Sequence, residues 1–198
     1  MGTHGRRGTG VHVALLRGIN VGGKNKLPMK DLAALVSEAG GRDVRTYIQS
    51  GNVVFRASAA QARRLPDAVS GAIADRLGFR PPVVLRSASE LAAIARDNPF
   101  LASGHDAEFL HVVFLAERPS EGRTAALDRR RSPPDELVLR GREIYLRCPN
   151  GIARSKLTND YFDRTLATVS TLRNWRTVLA LGELANVDRA RADQTKAP

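Results

Sequence analysis

The amino-acid sequence predicts an α+β fold in which one plan of elements occurs twice. Three observations indicate this fold: short apolar runs typical of strands, longer stretches with helical spacing, and turn residues at the joints. Residues 11–86 have the order β-α-β-β-α-β, and the later residues give β-α-β-β-α-α after one leading helix. We therefore predict two ferredoxin-like β-α-β-β-α halves, packed as one body, with an extra C-terminal helix.

The first half begins with a strand at 11–17, VHVALLR, and a loop rich in glycine, lysine and asparagine follows at 18–28. Apolar residues three and four positions apart predict a helix at 29–39, which Gly40-Gly41 ends. Two β runs, at 44–49 and 53–56, flank Ser50-Gly51-Asn52, a combination typical of a hairpin turn.

A second helix is predicted at 59–77, with a stripe of apolar residues along one face. Pro66 lies inside that stretch, which leaves a later start at Leu65 open. A fourth strand at 83–86 completes the first half, which spans residues 11–86.

The second half spans residues 87–185 and contains more helix than the first. Its predicted helices lie at 87–97, 119–127, 157–166 and 172–184, and its strands lie at 109–116, 137–139 and 144–146. Asn98-Pro99 is expected to end the first of these helices. Residues 1–10 and 186–198 are predicted to be a flexible N-terminal segment and a flexible tail.

Composition excludes several classes of protein. Apolar residues make up 42% of the chain, which argues against wholesale disorder. Cys148 is the single cysteine, so an intrachain disulfide and a cysteine-rich zinc site are excluded. No apolar run approaches the roughly 20 residues of a membrane span, and the N-terminus lacks the apolar core of a signal peptide. We expect a cytoplasmic protein without a membrane partner, of undetermined oligomeric state.

The charge favours anionic partners. The net charge is +11, and residues 11–57 alone carry +4 in a stretch where glycines are dense. Such a charge suits a nucleic acid or an anionic small molecule. Arginine supplies 26 of the 31 basic residues, however, and GC-rich coding produces that bias without any function.

The loop after the first strand has the spacing of a phosphate loop, G-x-x-x-x-G-K, from Gly18 to Lys24. Asn25 stands where such a loop has serine or threonine, and Pro28 separates the loop from the helix. Three interpretations stay open: a nucleotide triphosphatase, a different anion-binding loop, and a structural glycine loop. The second would use Arg17, Lys24, Lys26 and backbone N–H groups.

The hairpin at 47–53 is the second polar motif. Strand alternation places Tyr47, Gln49 and Asn52 on one side, away from Ile48. An open sheet face of this kind can stack nucleic-acid bases, but aromatic residues are only 5% of the chain. A turn that needs Ser50, Gly51 and Asn52 for its geometry is the favoured interpretation.

Two later segments contain arginine or lysine residues close to a serine or threonine. The loop at 149–156 contains Arg154, Ser155 and Lys156. The segment at 171–178 is predicted to be helical, with Thr171 as its cap and Arg173 and Arg176 three residues apart on one face. These arginines could hold a phosphate or carboxylate, or pair with Asp160 or Asp163, while Trp175 is expected in the core.

Catalytic groups are sparse in this sequence. It contains no recognisable nucleophile motif or metal-ligand spacing, so whether the protein is an enzyme stays open, and we expect no metal and no cofactor. Cys148 could be a nucleophile, but no base partner is indicated. Tyr47 or Glu38 could act as an acid or base only if buried.

Four motifs together resemble one bacterial family: LRGINVGGKNKLPM, RTYIQSGNVVF, NGIARSKLT and TLRNWRTVLAL. The resemblance is to the domain of unknown function family numbered 1697, and it covers residues 11–184. It implies an α+β fold with duplicated ferredoxin-like halves, and it implies no activity, substrate or cofactor. Pro28 before Met29 departs mildly from the pattern. The positions that match the family's motifs are Arg17, Gly18, Asn20, Gly22, Gly23, Lys24, Met29, Tyr47, Ser50, Gly51, Asn52, Gly151, Ser155, Lys156, Thr171, Arg173, Asn174, Trp175 and Thr177.

We predict that the polar residues of these motifs converge on a cleft between the halves that binds a phosphate- or carboxylate-bearing small ligand. The candidate ligand-binding residues are Arg17, Gly18, Asn20, Gly22, Gly23, Lys24, Lys26, Tyr47, Gln49, Ser50, Asn52, Arg154, Ser155, Lys156, Arg173, Asn174 and Arg176. Two alternatives remain: an RNA- or DNA-binding protein that uses a basic face, and a partner-binding scaffold without a ligand.

Overall fold

The first sheet is built from the strands of the predicted first half. The structure, a computed structural model, describes residues 9–194, apart from the side chains of Ala102 and residues 188–194. Most of the predicted N-terminal segment and residues 195–198 of the predicted tail therefore lie outside the described residues. The first elements are β1 (Gly10–Leu16), α1 (Met29–Glu38), β2 (Arg42–Tyr47), β3 (Asn52–Ala57), α2 (Ala59–Leu77) and β4 (Val83–Ser87).

The second sheet repeats the arrangement of the first. Its elements are α3 (Ala88–Arg96), α4 (Pro99–Ala102), β5 (Leu110–Leu115), α5 (Glu121–Ala125), β6 (Glu136–Arg140), β7 (Glu143–Arg147), α6 (Asn159–Leu166), β8 (Ser170–Asn174) and α7 (Trp175–Gln194). The strand orders are β2-β3-β1-β4 and β6-β7-β5-β8, both antiparallel. The predicted α+β class is confirmed at this level.

The chain divides into two compact units. Among the described residues, the first unit contains 9–81, 85–88 and 184–194, and the second contains 82–84 and 89–183. In the first unit, β1 and β3 pair from Gly10 opposite Ala57 to Leu15 opposite Asn52. Apolar side chains of these strands are buried with those of α1 and α2 and form its core: Val13, Leu15, Leu32, Val36, Val53, Phe55, Leu65, Val69 and Ile73.

The core of the second unit lies around β5, β7 and α6. It contains Val113, Leu115, Leu127, Leu137, Ile144, Leu146, Cys148, Leu157, Phe162 and Leu166. The strands β1 and β5 have similar sequences, VHVALL and LHVVFL, at the same place in each sheet. The ends of β4 and β8 also match, with Leu85-Arg86 in one and Leu172-Arg173 in the other.

Helix α2 begins at Ala59, so the alternative start at Leu65 is wrong. The hydroxyl of Ser58 accepts a hydrogen bond from Gln61 N, and the side chain of Gln61 accepts one from Ser58 N. This capping box fixes the start of the helix. The helix continues through Pro66, which removes only one backbone donor.

The prediction of a helix at 172–184 is wrong at its start. Residues Ser170–Asn174 form β8, which pairs with β5 from Leu115 opposite Ser170 to His111 opposite Asn174. Edge pairing with β5 outweighs the local helical spacing. The helix α7 begins at Trp175 and runs to Gln194, so it extends into the tail predicted at 186–198.

Helix α3 ends just before Asn98-Pro99, as predicted, and the short helix α4 begins there. The side-chain oxygen of Asn98 accepts a hydrogen bond from Phe100 N at 3.0 Å, which caps α4. Pro99 takes the first helical position, where its missing N–H costs nothing. These residues therefore start a second short helix as well as following α3.

Candidate functional site

The glycine loop, residues 17–28 between β1 and α1, contains a two-residue turn. Lys24 N donates to the carbonyl of Val21 at 3.1 Å, and Gly22 and Gly23 have φ of 58° and 74°. Two successive positive φ values are the signature of a type I′ turn, which requires residues such as glycine. In a phosphate loop the lysine opens a helix, whereas here Lys24 closes a turn and α1 begins at Met29. The loop therefore lacks the phosphate-loop geometry on which the triphosphatase interpretation depended.

Two asparagine side chains hold the neck of the glycine loop. Asn20 Oδ1 accepts from Leu27 N at 2.8 Å, and its Nδ2 donates to Leu27 O at 2.9 Å. Asn25 Nδ2 donates to Gly18 O at 2.9 Å, while Asn20 N donates to Asn25 O. Both asparagines have left-handed backbones, with φ of 55° and 50°. The loop is therefore braced from within.

The turn of the β2–β3 hairpin packs against this loop. Asn20 Nδ2 also donates to Gln49 O at 3.1 Å, and Leu16 N donates to Gly51 O at 2.8 Å. Gly51 has φ of 75°, and a Cβ there would lie 2.8 Å from Leu16 Cβ. Only glycine fits this contact.

Asn52 organises the hairpin turn from inside. Its side chain is buried, and its Nδ2 donates to Tyr47 O at 3.2 Å and to Ser50 Oγ at 2.8 Å. Asn20, Ser50 and Asn52, predicted to bind ligand, thus support the local backbone.

Ile48 is strained at the tip of this hairpin. It has φ of 46°, although a β-branched side chain in the left-handed region costs about 1–2 kcal/mol. Its side chain is 53% exposed, so burial does not offset the cost. Strain of this kind collects at functional positions. The sequence does not predict this feature, because a Ser-Gly-Asn turn does not indicate the backbone conformation of the isoleucine two residues before it.

The exposed groups beside the braced loop form the glycine-loop surface, which we define as Gly22, Gly23, Lys24, Lys26 and Gln49. Among the described residues, neither lysine ammonium group contacts a protein acceptor, and the N–H groups of the two glycines donate to none. The surface thus offers two cations and two backbone donors on a fixed frame. Arg17 and Tyr47 lie beside it, half-buried.

Candidate residues of the second unit form hydrogen bonds within that unit. Arg173 is buried, and its Nη1 donates to Thr171 Oγ1 and Leu172 O, each at 2.8 Å. Burial lowers the pKa of Arg173 to about 10, so it stays charged at neutral pH. Asn174 Oδ1 accepts from Thr177 N and caps α7. Because Arg173 lies in a strand and the exposed Arg176 in a helix, the predicted helical pair does not exist.

The loop at 149–156 is joined to the arginine-rich loop at 129–134. Lys156 N donates to Ser132 Oγ at 3.0 Å, and Arg131 Nε donates to Lys156 O at 3.2 Å. Ser155 Oγ accepts from Leu157 N, so it too supports the backbone. Arg154 and Lys156 themselves are exposed. The structure therefore groups the first-unit candidates around one loop, whereas the second-unit candidates lie in the loop at 149–156, in β8 and at the start of α7.

The candidate catalytic groups are poorly placed for chemistry. Cys148 is buried, and burial raises the pKa of its thiol to about 11, so it is not a thiolate at neutral pH. Glu38 is exposed and forms an ion pair with Arg76 at 2.6 Å. Within residues 9–194, no three His, Cys, Asp or Glu side chains gather closely enough to hold a metal ion. In the same part of the chain, no helix has the length and apolar character needed to cross a membrane.

Residues 10–145 match the family model described as protein of unknown function (DUF1697). The chain belongs to this family. The predicted resemblance is thereby confirmed, and both the glycine loop and the hairpin lie inside the matched region of this DUF1697 protein. The two later motifs, NGIARSKLT and TLRNWRTVLAL, lie beyond it.

The fold is shared with a solved structure. The chain is similar to a conserved bacterial protein from Streptococcus pneumoniae, with 23% identity and a TM-score of 0.63. The alignment covers 90% of this chain and 99% of that one. A search of curated proteins finds no match. These comparisons establish the family and the fold.

Proposed function

We propose that this DUF1697 protein binds a small phosphate- or carboxylate-bearing ligand at the glycine-loop surface. The observation that carries the proposal is the Asn20 brace, which fixes the loop while Lys24 and Lys26 contact no protein acceptor among the described residues. A preorganised site loses less conformational freedom on binding than a loose loop does. Backbone N–H groups and ammonium groups together are the usual recognition elements for a phosphate.

We also propose that the chain is built from two ferredoxin-like halves. In both sheets the third strand of the half lies between the first and the second, and the fourth lies on the far side of the first. That order supports two ferredoxin-like halves, 11–86 and 87–185. Because Arg173 and Asn174 serve a strand and a helix cap, the proposed site uses the first unit alone.

Thermal unfolding with inorganic pyrophosphate tests the site. A ligand that binds only the native state raises the melting temperature by mass action. We expect pyrophosphate to raise Tm of the wild type, and Lys24→Ala and Lys26→Ala each to remove most of that rise. Lys30→Ala is the matched control, because Lys30 is an exposed lysine on α1 outside the surface. An equal loss of the rise in Lys30→Ala, or no rise in the wild type, would contradict the proposal.

Nucleic-acid binding is the second candidate, and one observation favours it. Five exposed cations of the second unit lie on two loops that are hydrogen-bonded to each other: Arg129, Arg130, Arg131, Arg154 and Lys156. A single-stranded RNA would bind such a surface through its phosphates, with an affinity that falls steeply with salt. A Tm rise with a 20-nucleotide RNA, lost at higher salt and in Arg154→Ala but kept in Lys24→Ala, would favour this function over the first.

A further inference from the structure

A cavity of about 440 Å³ in the second unit lies outside the glycine-loop surface and shares only Arg129 with the five cations named above. Its wall comes from the segment that contains α5 and from the turn between β6 and β7. The lining residues are Arg118, Pro119, Glu121, Thr124, Ala125, Leu127, Arg129, Leu139 and Gly141. A volume of roughly 300–1,000 Å³ is typical of sites for small molecules.

The cavity combines an apolar lining with cations at its edge. Leu127 is buried and Leu139 half-buried, so they present an apolar floor. Arg118 and Arg129 are both exposed. Glu121 is the single acidic residue of the lining, so the formal charge of the lining is positive.

Among the described residues, the guanidinium groups of Arg118 and Arg129 lack the partners that Arg131, Arg140 and Arg142 have. Arg131 stacks on the ring of Tyr161, with its guanidinium carbon 4.1 Å from the ring centroid. Arg140 donates to Asp97 O, and Arg142 forms an ion pair with Glu90. Among residues 9–194, the guanidinium groups of Arg118 and Arg129 have no hydrogen bond or ion pair.

We propose that this cavity binds an organic monoanion, with its carboxylate held by Arg118 and Arg129 and its apolar body on Leu127 and Leu139. A guanidinium group presents two parallel donors that match the two oxygens of a carboxylate. A ring or hydrocarbon chain that packs on the apolar floor leaves water, and this burial favours binding. Glu121 disfavours a ligand with a higher negative charge, because like charges repel in so small a volume.

The test is a titration of the isotope-labelled full chain with benzoate, followed by the backbone amide signals of Thr124 and Gly141 in NMR spectra. Benzamide keeps the ring without the charge, and acetate keeps the charge without the ring. We expect benzoate to shift both signals, and each of the other two probes to bind at least about tenfold more weakly, because each loses one of the two recognition elements.

Variants separate this site from diffuse attraction to a basic protein. We expect Arg118→Ala and Arg129→Ala each to raise the Kd for benzoate about tenfold. Arg123→Ala is the matched control, since Arg123 is exposed on α5 but does not line the cavity. Ala125→Trp, which fills the cavity without changing its charge, should abolish the shifts.

Three results would overturn the proposal: equal affinity for benzoate and acetate, equal weakening by Arg123→Ala and Arg118→Ala, or no shift at the solubility limit of benzoate. Lys24→Ala should leave the benzoate-induced shifts of Thr124 and Gly141 unchanged, because these two signals report the cavity and not the glycine-loop surface. The fate of this proposal is therefore independent of the fate of the glycine-loop site.

Discussion

Asn20 joins the glycine loop to the neighbouring hairpin, because its Nδ2 donates to the carbonyl of Gln49 at 3.1 Å while the same amide group holds both backbone groups of Leu27. One side chain therefore ties together two segments that are 29 residues apart in the chain. The shape of the glycine-loop surface depends on this contact.

Replacement of Asn20 should destabilise the protein and weaken the binding of an anion to the glycine loop. Asn20→Ala removes three side-chain hydrogen bonds and places alanine at φ of 55°, so we expect a loss of about 2–4 kcal/mol in the free energy of unfolding. Asn20→Gly tolerates the backbone and removes only the hydrogen bonds, so it should lose less. Urea unfolding measures both, and equal losses would show that the backbone conformation is irrelevant.

Two glycines with the same φ should respond differently to alanine. Gly51 and Gly78 both have φ of +75°, but a Cβ at Gly51 would meet Leu16 Cβ at 2.8 Å, whereas nothing lies within 4 Å at Gly78. Gly78→Ala should cost about 1–2 kcal/mol from its backbone alone. Gly51→Ala should cost about 1–3 kcal/mol more, because it also overpacks. Thermal or urea unfolding of the two variants measures the difference, and a smaller loss for Gly51→Ala would contradict the packing described.

Relief of the strain at Ile48 should stabilise the chain. Asparagine tolerates the left-handed region much better than a β-branched residue does, so Ile48→Asn should raise the free energy of unfolding by about 1 kcal/mol. Ile48→Val keeps the branch at Cβ and serves as the control, with little expected change. A Tm that falls in Ile48→Asn would mean that the exposed isoleucine makes a favourable contact after all.

Acid should destabilise the protein through His111. Burial lowers the pKa of His111 below its ordinary value, although Phe109 O and Asp135 oppose the shift. The unfolded chain therefore protonates His111 more readily than the native state does. Stability from this group is fully present above the unfolded pKa of about 6.5 and is lost as pH falls below it.

Unfolding free energies measured between pH 5 and pH 7.5 check this sign. His111→Gln should lose less stability on acidification than the wild type does. His105→Gln, a change at a histidine in a loop, should keep the wild-type slope. If both variants show the same slope as the wild type, His111 is not the group responsible.

The sequence predicted the elements well wherever local pattern and tertiary pairing agreed. Helix α2 lies at the predicted residues, because its apolar stripe and its capping box both favour that range. Strand β8 was missed, because residues 170–174 are extended only through their pairing with β5, which no local period records. The spacing of Leu172 and Trp175 is typical of a helix, but Leu172 lies in a strand because it pairs with β5.

The site could be predicted only in part, for a similar reason. The glycine and lysine residues predicted the exposed loop. Asn20 and Asn52, which were predicted to bind a ligand, form hydrogen bonds with the backbone instead. Asn25 was missed as a brace, although asparagine in a glycine-rich loop is a known occupant of left-handed positions. The cavity beside α5 could not be predicted from the sequence, because its arginines are 11 residues apart and Leu139, one of its two floor residues, comes from the β6–β7 hairpin.

The burial of Cys148 has a practical consequence for anyone who wishes to observe this protein. Its thiol is inaccessible and keeps its proton at neutral pH, so maleimide reagents should leave the folded wild type unmodified. A cysteine introduced at an exposed position such as Lys26 or Arg123 would then be the one reactive thiol. The native chain is thus already a suitable background for attaching a single fluorophore or spin label, without first replacing its own cysteine.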